Sequence, residues 1–482
     1  MPVLHWFRRD LRLTDNTALS RALAEQPGHV IPVFVLDDAL LRRRDVAPAR
    51  VKFLLQSLAD LDERLRQRHS RLIVRRGDSQ DQLLALVRET GAHALYFNRD
   101  STPFARARDA AVTTAMHGAG VRVESHRDLT VFEGSDVLTQ AGQPYTVFTP
   151  YKKAWLTRPR PLPADLDEAA LRFDGPLPAT IDLPDEDALG FACTQRVQHG
   201  GETVALALLR EFIKSRRLEN YAAQRDMLSE PGTSTLSPHL RFGTLSPRIC
   251  VRAAEDGALT VDKAQRAGFD TWLSELIWRE FYYQVLFHFP HADKGNFKRN
   301  TDALRWGNGN AETDQRYFEA WCAGRTGYPV VDAAMRQLNA IGWMHNRARM
   351  IVASFLTKDL LLDWRLGESY FMRQLVDGDP ASNNGGWHWA ASTGTDAQPY
   401  FRIFNPRLQS ERFDRDGVYI RRWVPELCDV ADRHIHAPHE MTPLEQHACK
   451  CVIGEHYPAP IIDHAVQKEK ILARFKALDS AR

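Results

Sequence analysis

The feature that most restricts the fold is an alternation of short apolar runs with longer amphipathic stretches, confined to the first 130 residues. The runs Val3–Phe7, Val30–Leu36, Arg71–Val74, Ala94–Phe97 and Val121–Val123 are each short enough for a buried strand. Between them, Thr17–Ala24, Ala49–Arg66, Gln80–Thr90 and Arg106–Gly118 carry helical spacing. Parallel strands need a crossover between them, and a helix is the usual one. The order therefore predicts a doubly wound parallel α/β sheet domain over residues 1–130, of the kind that binds ligands at the carboxyl ends of its strands. No GxGxxG follows the first strand, which argues against a dinucleotide site of that type.

From Thr157 to Gly190 the chain turns rich in proline and acid and loses periodicity, so residues 131–200 are expected to form an interdomain connector. Beyond Gly201 the strand patterns vanish. Glu202–Ser215, Asp270–Phe287, Val330–Leu338, Met344–Leu362, Gly367–Leu375 and Ala465–Leu478 have helical spacing, so residues 201–482 should be an all-helical domain. A chain of 482 residues can bury its cores without staples, and its six cysteines include no CxxC pair, so no disulfide framework or metal site is expected. The start, MPVLHWFRRDLRLTD, lacks a signal-peptide pattern, and no segment approaches ~18 continuous apolar residues, so a cytoplasmic protein without membrane contact is expected. A net charge of +2 is too small to draw nucleic acid by itself; any such contact needs a local basic face.

Four segments concentrate chemistry. Phe269–Tyr283 is a very apolar helix interrupted by Glu275, Arg279 and Glu280. Glu275 and Arg279 could form an i,i+4 ion pair, but Glu275 lies among Trp272, Leu276 and Trp278, where a carboxylate is costly unless it meets a polar ligand. In GWMHNRARM, Asn346 and Met350 stand one turn apart with Arg347 and Arg349 beside them. Val376–Asp396, dense in Gly, Asn and Ser, has the composition of a turn-rich loop, yet gathers Asp377, Asp379, Asn383, Asn384, Trp387 and Trp389. Gly232–Pro247 sets Thr233, Ser234, Thr235 and Ser237 ahead of a helix, either as an ordinary N-cap or as a phosphate site. Together the four segments suit a phosphate-bearing heteroaromatic cofactor. Eleven tryptophans, most between Trp272 and Trp423, raise the further question of electron transfer.

FRRDLRLTDN at Phe7–Asn16, WLSELIWREFY at Trp272–Tyr282, GRTGYPVVDAAMRQL at Gly324–Leu338, GWMHNRARM at Gly342–Met350 and NNGGWHWAASTGTDAQPYFRIFNP at Asn383–Pro406 resemble the photolyase/cryptochrome family. Within it they are nearest the class I members that act on cyclobutane pyrimidine dimers. The resemblance implies an antenna domain followed by a helical domain holding FAD, and a monomer that repairs ultraviolet-damaged DNA. It carries FAD contacts onto Tyr221, Thr233, Ser234, Thr235, Leu236, Ser237, Trp272, Arg279, Asn346, Arg349, Asp377, Gly378, Asp379 and Asn383, with Asn383 facing the reactive flavin nitrogen. A lesion pocket is implied at Glu275, Trp278, Asn346, Met350 and Trp389: flat apolar walls, a carboxylate for the polar edge of the lesion, and an amide reaching both flavin and lesion. Glu275, Asn346 and Asn383 would be the catalytic groups. The implied reaction is light-driven electron donation from reduced FAD to a flipped-out dimer, ring splitting and return of the electron. Arg225, Arg347 and Arg402 match positions that grip DNA phosphates, and Trp387, Trp364 and Trp306 match an electron relay to the surface, with Trp321 the alternative to Trp306 because 307–316 holds an insertion.

Two features depart from the family. Phe104 and Ala105 replace the Asn-Glu pair of folate-binding members; Ala47–Leu54 and Phe97–Asp100 resemble the deazaflavin or flavin antenna type, with Asp100 a contact, or else the antenna site is empty. His388 stands where Gln is frequent and is expected to be tolerated. The competing readings are a signalling cryptochrome, a repair enzyme for the pyrimidine-pyrimidone photoproduct with His345 as one of two histidines, and a flavin oxidoreductase, for which no nicotinamide site is found. The HIHAPH run at His434–His439 reads as a solvated loop.

Overall fold

The computed structural model describes residues 1–263 and 265–480. Five strands, β1 (Val3–Phe7), β2 (Val30–Leu36), β3 (Ile73–Arg76), β4 (Ala94–Asn98) and β5 (Arg122–His126), form one parallel sheet in the order β3-β2-β1-β4-β5. The apolar runs of β1, β2 and β4 are buried along their whole length, as central strands covered by helices on both faces require. The two edge strands begin later than their apolar runs suggest. Arg75 and Arg76 pair with Val35 and Leu36, and Glu124 and His126 pair with Tyr96 and Asn98, because an edge strand can keep charged side chains in water while its backbone completes the ladder. The chain leaves β1 towards β2 on one side and β4 on the other, which opens a crevice at the carboxyl ends of the strands.

Outside the sheet and the irregular stretches, the elements of the described chain are helices. Their centre is Arg266–His288, which packs against Pro247–Leu259, Tyr221–Gln224, Pro380–Ala391 and Phe148–Leu156. Phe148–Leu156 belongs to the segment expected as a connector, yet Phe148, Tyr151 and Trp155 are buried, and Trp155 Nε1 donates to Glu280 Oε1 at 2.6 Å. The single helix expected over Met344–Leu362 is an α-helix, Asn346–Ser354, followed by a π turn, Phe355–Asp359. Lys358 lies buried in that turn, and its Nζ donates to Ser392 Oγ at 2.9 Å.

Val376–Asp396, expected as a turn-rich loop, contains the helix Pro380–Ala391. Its start follows from Asp379, whose carboxylate accepts from Ser382 N, and from Pro380 in the first turn. Its glycines serve packing rather than turning. A Cβ on Gly385 would collide with the Tyr282 ring, whereas one on Gly386 would meet nothing within 4 Å. Gly367 in Trp364–Gln374 likewise leaves room for the Trp387 ring.

Buried charge joins the sheet to the helices. Arg248, at the start of Pro247–Leu259, donates from Nε to Asp15 Oδ2 at 2.9 Å and from Nη2 to Asp128 Oδ1 at 2.7 Å. Asp128 also accepts from Arg12 Nη2 at 2.6 Å, and all four side chains are almost wholly buried. Burial alone would raise Asp128, but Arg12 and Arg248 hold it below the usual carboxylate range. Its stabilising charge is therefore present above the unfolded-state value of about 4 and is lost as pH falls through the lower folded value. Asp128→Ala leaves the buried Arg12 without a carboxylate and Arg248 with Asp15 alone, and should cost about 3–5 kcal/mol of stability in denaturant unfolding. A loss below about 1 kcal/mol, the worth of an exposed pair, would show that the arginines reach water.

Candidate active site and neighbouring cavities

A cavity of about 480 Å³ lies among Arg266–His288, Asn346–Ser354, Trp364–Gln374 and Pro380–Ala391. Helical periodicity explains which residues face it. Trp272, Glu275, Arg279 and Tyr282 recur every three or four residues, and Asn346, Arg349, Met350 and Ala353, like Asn383, Gly386 and Trp387 with Ser382 beside them, follow the i, i+3, i+4 pattern of one helix face. Trp278 and Trp389 complete the walls. Glu275, Trp278, Asn346, Met350, Asn383 and Trp389, scattered through the sequence, thus line one space.

The ion pair between Glu275 and Arg279 does not form. Glu275 Oε1 accepts from Arg225 Nη1 at 2.5 Å, whereas Arg279 donates to the carbonyls of Leu129 and Leu240 at 2.9 and 3.2 Å. Trp278 stacks on Phe148, ring centroids 3.7 Å apart and planes 10° apart, so its orientation is fixed from behind. Asn346 is exposed, and its Nδ2 lies 3.8 Å from Met350 Sδ.

Asn383 Nδ2 donates to the carbonyl of Glu368 at 3.1 Å, which leaves Oδ1 as the free acceptor. Burial pushes Glu368 up to about 7, although its Oε1 accepts from Asn384 Nδ2 at 3.2 Å. Asp377 Oδ2 accepts from Arg349 Nη2 at 2.8 Å, while its Oδ1 is buried without a donor. Burial would raise Asp379, but Arg9, Arg241 and Arg279 hold it well below the carboxylate range. Arg9 Nη2 donates to Asp379 Oδ2 at 2.6 Å, and the Tyr283 hydroxyl donates to the same oxygen.

Of the hydroxyl run, Ser234 and Ser237 line the cavity. The ordinary N-cap reading fails, because Ser237–Phe242 starts at Leu236 with no side-chain cap. Thr233, Thr235 and Leu236 are not among the lining residues, and Leu236 is in the core. Thr235 has φ 54°, a left-handed conformation that costs a β-branched residue energy and marks a backbone shaped by its surroundings. Gly378 also lies off the wall; its carbonyl accepts from Arg241 Nε at 2.9 Å. Tyr221 and Trp272 face the cavity.

Arg347 is engaged by Asp226 at 2.6 Å and lies over the Phe413 ring, whereas Arg402 is exposed and its side chain has no ion-pair partner among the described residues. Trp387 lines the cavity, and Trp364 is fully buried with Nε1 donating to Asn296 Oδ1 at 2.9 Å. Trp306 is half-buried, while Trp321 is 0% exposed and donates to the Val352 carbonyl. His388 fits its buried place by bonding Thr393 Oγ1 and the Ala292 carbonyl, and burial lowers it to about 4. In the HIHAPH run, His434 meets Glu445 and His436 bridges Ser410 and the Arg415 carbonyl.

A second cavity, about 270 Å³, occupies the crevice at the carboxyl ends of the strands. Asp100 lines it and accepts from Arg9 Nη1 at 3.2 Å; Phe104 also lines it. Arg241 lines both cavities, and Arg9 lines this one while bonding Asp379 in the other. These two arginines, with Phe148, Tyr282 and Ser382, are what sequence reasoning missed. Helical spacing from Glu275 and Arg279 could have added Tyr282; nothing local marks Arg9 or Arg241.

Residues 3–169 match the family described as DNA photolyase, and 272–477 the FAD binding domain of DNA photolyase. A deoxyribodipyrimidine photo-lyase from Synechococcus sp. is 42% identical over 100% of this chain and 97% of its own length. A bacterial class III photolyase from Agrobacterium tumefaciens superposes with a TM-score of 0.91 at 39% identity, covering 99% of this chain and 98% of that one. An archaeal photolyase from Sulfolobus tokodaii, solved with two FAD molecules, superposes with a TM-score of 0.81 at 33% identity, covering 99% of this chain and 100% of that one.

Proposed function

The chain belongs to the DNA photolyase family, and we propose that it is a deoxyribodipyrimidine photo-lyase, a carbon–carbon lyase that splits cyclobutane pyrimidine dimers in DNA. The observation that carries this reading is the convergence of Glu275, Trp278, Asn346, Met350 and Trp389 on the cavity that Asn383 also lines.

The wall fits FAD. The buried Asp377 Oδ1 needs a donor, which a ring N–H or a ribose hydroxyl would supply, and Gly386 leaves open space beside Asn383. Tyr221, Ser234, Ser237, Trp272, Arg279, Asn346, Arg349, Asp377, Asp379 and Asn383 would hold it, with Thr233, Thr235, Leu236 and Gly378 shaping the loops behind. Bound and reduced, FAD supplies a light-activated electron. The residues do the rest. Asn383, its Nδ2 occupied, offers Oδ1 to a protonated ring nitrogen and so favours the reduced ring. Trp278, backed by Phe148, and Trp389 give flat walls against which a flipped-out dimer can lie while water is excluded. Glu275 accepts from the polar edge of the pyrimidines, with Arg225 holding its charge in place. Asn346, exposed at the mouth, reaches from cofactor to lesion.

The antenna belongs in the second cavity. Asp100 among Arg9, Arg43, Arg108 and Arg241, with Phe104 and Ala105 beside them, suits a deazaflavin or flavin better than a folate. The same reading has the chain act as a monomer in the cytoplasm; no described helix is long and apolar enough to cross a membrane.

Illumination of the reduced protein with oligonucleotides bearing one lesion or the other should restore the cyclobutane dimer and leave the pyrimidine-pyrimidone product intact. Restoration of neither, or of the second alone, overturns the proposal. Arg402→Ala should flatten the salt dependence of damaged-DNA binding by about one unit of slope, and Arg347→Ala by less, since Asp226 already shares that charge. An electron relay must end near water, which favours the half-buried Trp306 over Trp321. Flavin photoreduction should therefore fail in Trp306→Phe and survive in Trp321→Phe, and the reverse pattern would exchange them.

A further inference from the structure

A third cavity, about 570 Å³, opens at the carboxyl ends of β4 and β5. It lies between the helix Pro103–Gly118, the segment 129–135 and the end of Arg266–His288. It shares Asp100 with the N-terminal cavity and no lining residue with the lesion cavity. Neither the antenna nor the repair reading uses it.

Its acids are already satisfied. Glu133 holds Arg99 at 3.0 Å, Asp109 is held by Arg8 and Arg108, and Asp100 by Arg9. Arg106 is different: it is exposed, has no carboxylate partner among the described residues, and lies over the Phe287 ring with its Nη1 3.5 Å from the Phe287 carbonyl. Phe287 in turn is seated on Gly134, where a Cβ would stand 2.5 Å from its ring. The floor holds a second uncommitted group. Gln284 is 2% exposed and donates through Nε2 to the Tyr145 carbonyl at 3.3 Å, but its Oε1 is buried with no donor. A spare cation at the rim, an orphaned acceptor in the floor and an apolar wall from Leu129 and Phe132 define complementary chemistry: an anion, an N–H donor and a flat ring.

We infer that this cavity is a binding site for a small planar heteroaromatic anion of the nucleoside monophosphate type, with its anionic group on Arg106 and a ring or exocyclic N–H on Gln284 Oε1. The carboxyl ends of parallel strands are where such ligands collect, and here the sheet offers a second place beside the crevice.

Calorimetric titration of the FAD-loaded protein with adenosine 5′-monophosphate tests this; the lesion pocket stays open beside the cofactor, so binding there is told apart by its indifference to Arg106→Glu. One saturable site is expected, with adenosine, which lacks the phosphate, binding about tenfold more weakly or worse. Arg106→Glu should lower the nucleotide affinity by about tenfold or more. Arg43→Glu, which alters the N-terminal cavity alone, should leave that affinity unchanged. Dimer repair should be the same in Arg106→Glu as in the parent, so failure here is separable from failure of the repair assignment. No saturation up to millimolar nucleotide, equal binding of adenosine, an unchanged affinity in Arg106→Glu, or a loss in Arg43→Glu would each overturn the proposal.

Discussion

Arg248 is the interaction on which the rest of the architecture depends. It is buried, it must be paired to be tolerated, and its two carboxylates, Asp15 and Asp128, both come from the sheet side of the molecule. Neither half can satisfy this charge alone. The pairing fixes where the loop after β1 sits against the helices, and that loop carries Arg9, three residues before Arg12. Arg9 can then reach Asp379 at the start of Pro380–Ala391, so an ionic contact between halves becomes part of a cavity wall. Asp379 stays ionised well below the usual carboxylate range because three guanidinium groups, Arg9, Arg241 and Arg279, outweigh its burial, more than through anything in its own segment.

The cavity itself is a problem of helix spacing. Glycine at 367 and 385 lets Trp387 and Tyr282 lie where a methyl group would stand, which brings Trp364–Gln374, Pro380–Ala391 and Arg266–His288 close on one side, while Gly386 keeps the other side open. Asn383 is oriented by the same closeness, because the Glu368 carbonyl that takes its N–H belongs to the neighbouring helix. An amide whose donor is already spent presents an acceptor, and that polarity is decided by packing before any ligand arrives.

The sheet was legible because central strands and their crossover helices write their burial into local periodicity; β1 and β2 begin and end where their apolar runs do. β3 and β5 were displaced because a ladder partner, not apolarity, sets the limits of an edge strand. Pro380–Ala391 was hidden for the opposite reason, since its Gly and Asn residues have turn propensities that tertiary contacts override. The residues that line the large cavity were mostly legible as a set through family resemblance and one by one hardly at all. Glu275 finds its partner, Arg225, fifty residues earlier in the chain, and no spacing rule announces such a pair. Arg9, Arg241 and Phe148 matter through contacts across more than a hundred residues, which local patterns do not encode.

The stacking of Phe148 on Trp278 bears on how this chain could be divided. The aromatic helix Phe148–Leu156 precedes the proline-rich stretch, yet it buries Trp155 against Glu280 and braces Trp278 in the cavity wall. A helical fragment cut at residue 201 would lose that brace and expose the flank of its longest helix, together with an unpaired Arg248. The unit that could be exchanged between relatives, or grafted onto another α/β sheet, therefore begins before Phe148 and must bring Asp15 and Asp128 or replace them. Modularity in this chain follows buried contacts, and the most flexible-looking part of the sequence is the wrong place to cut.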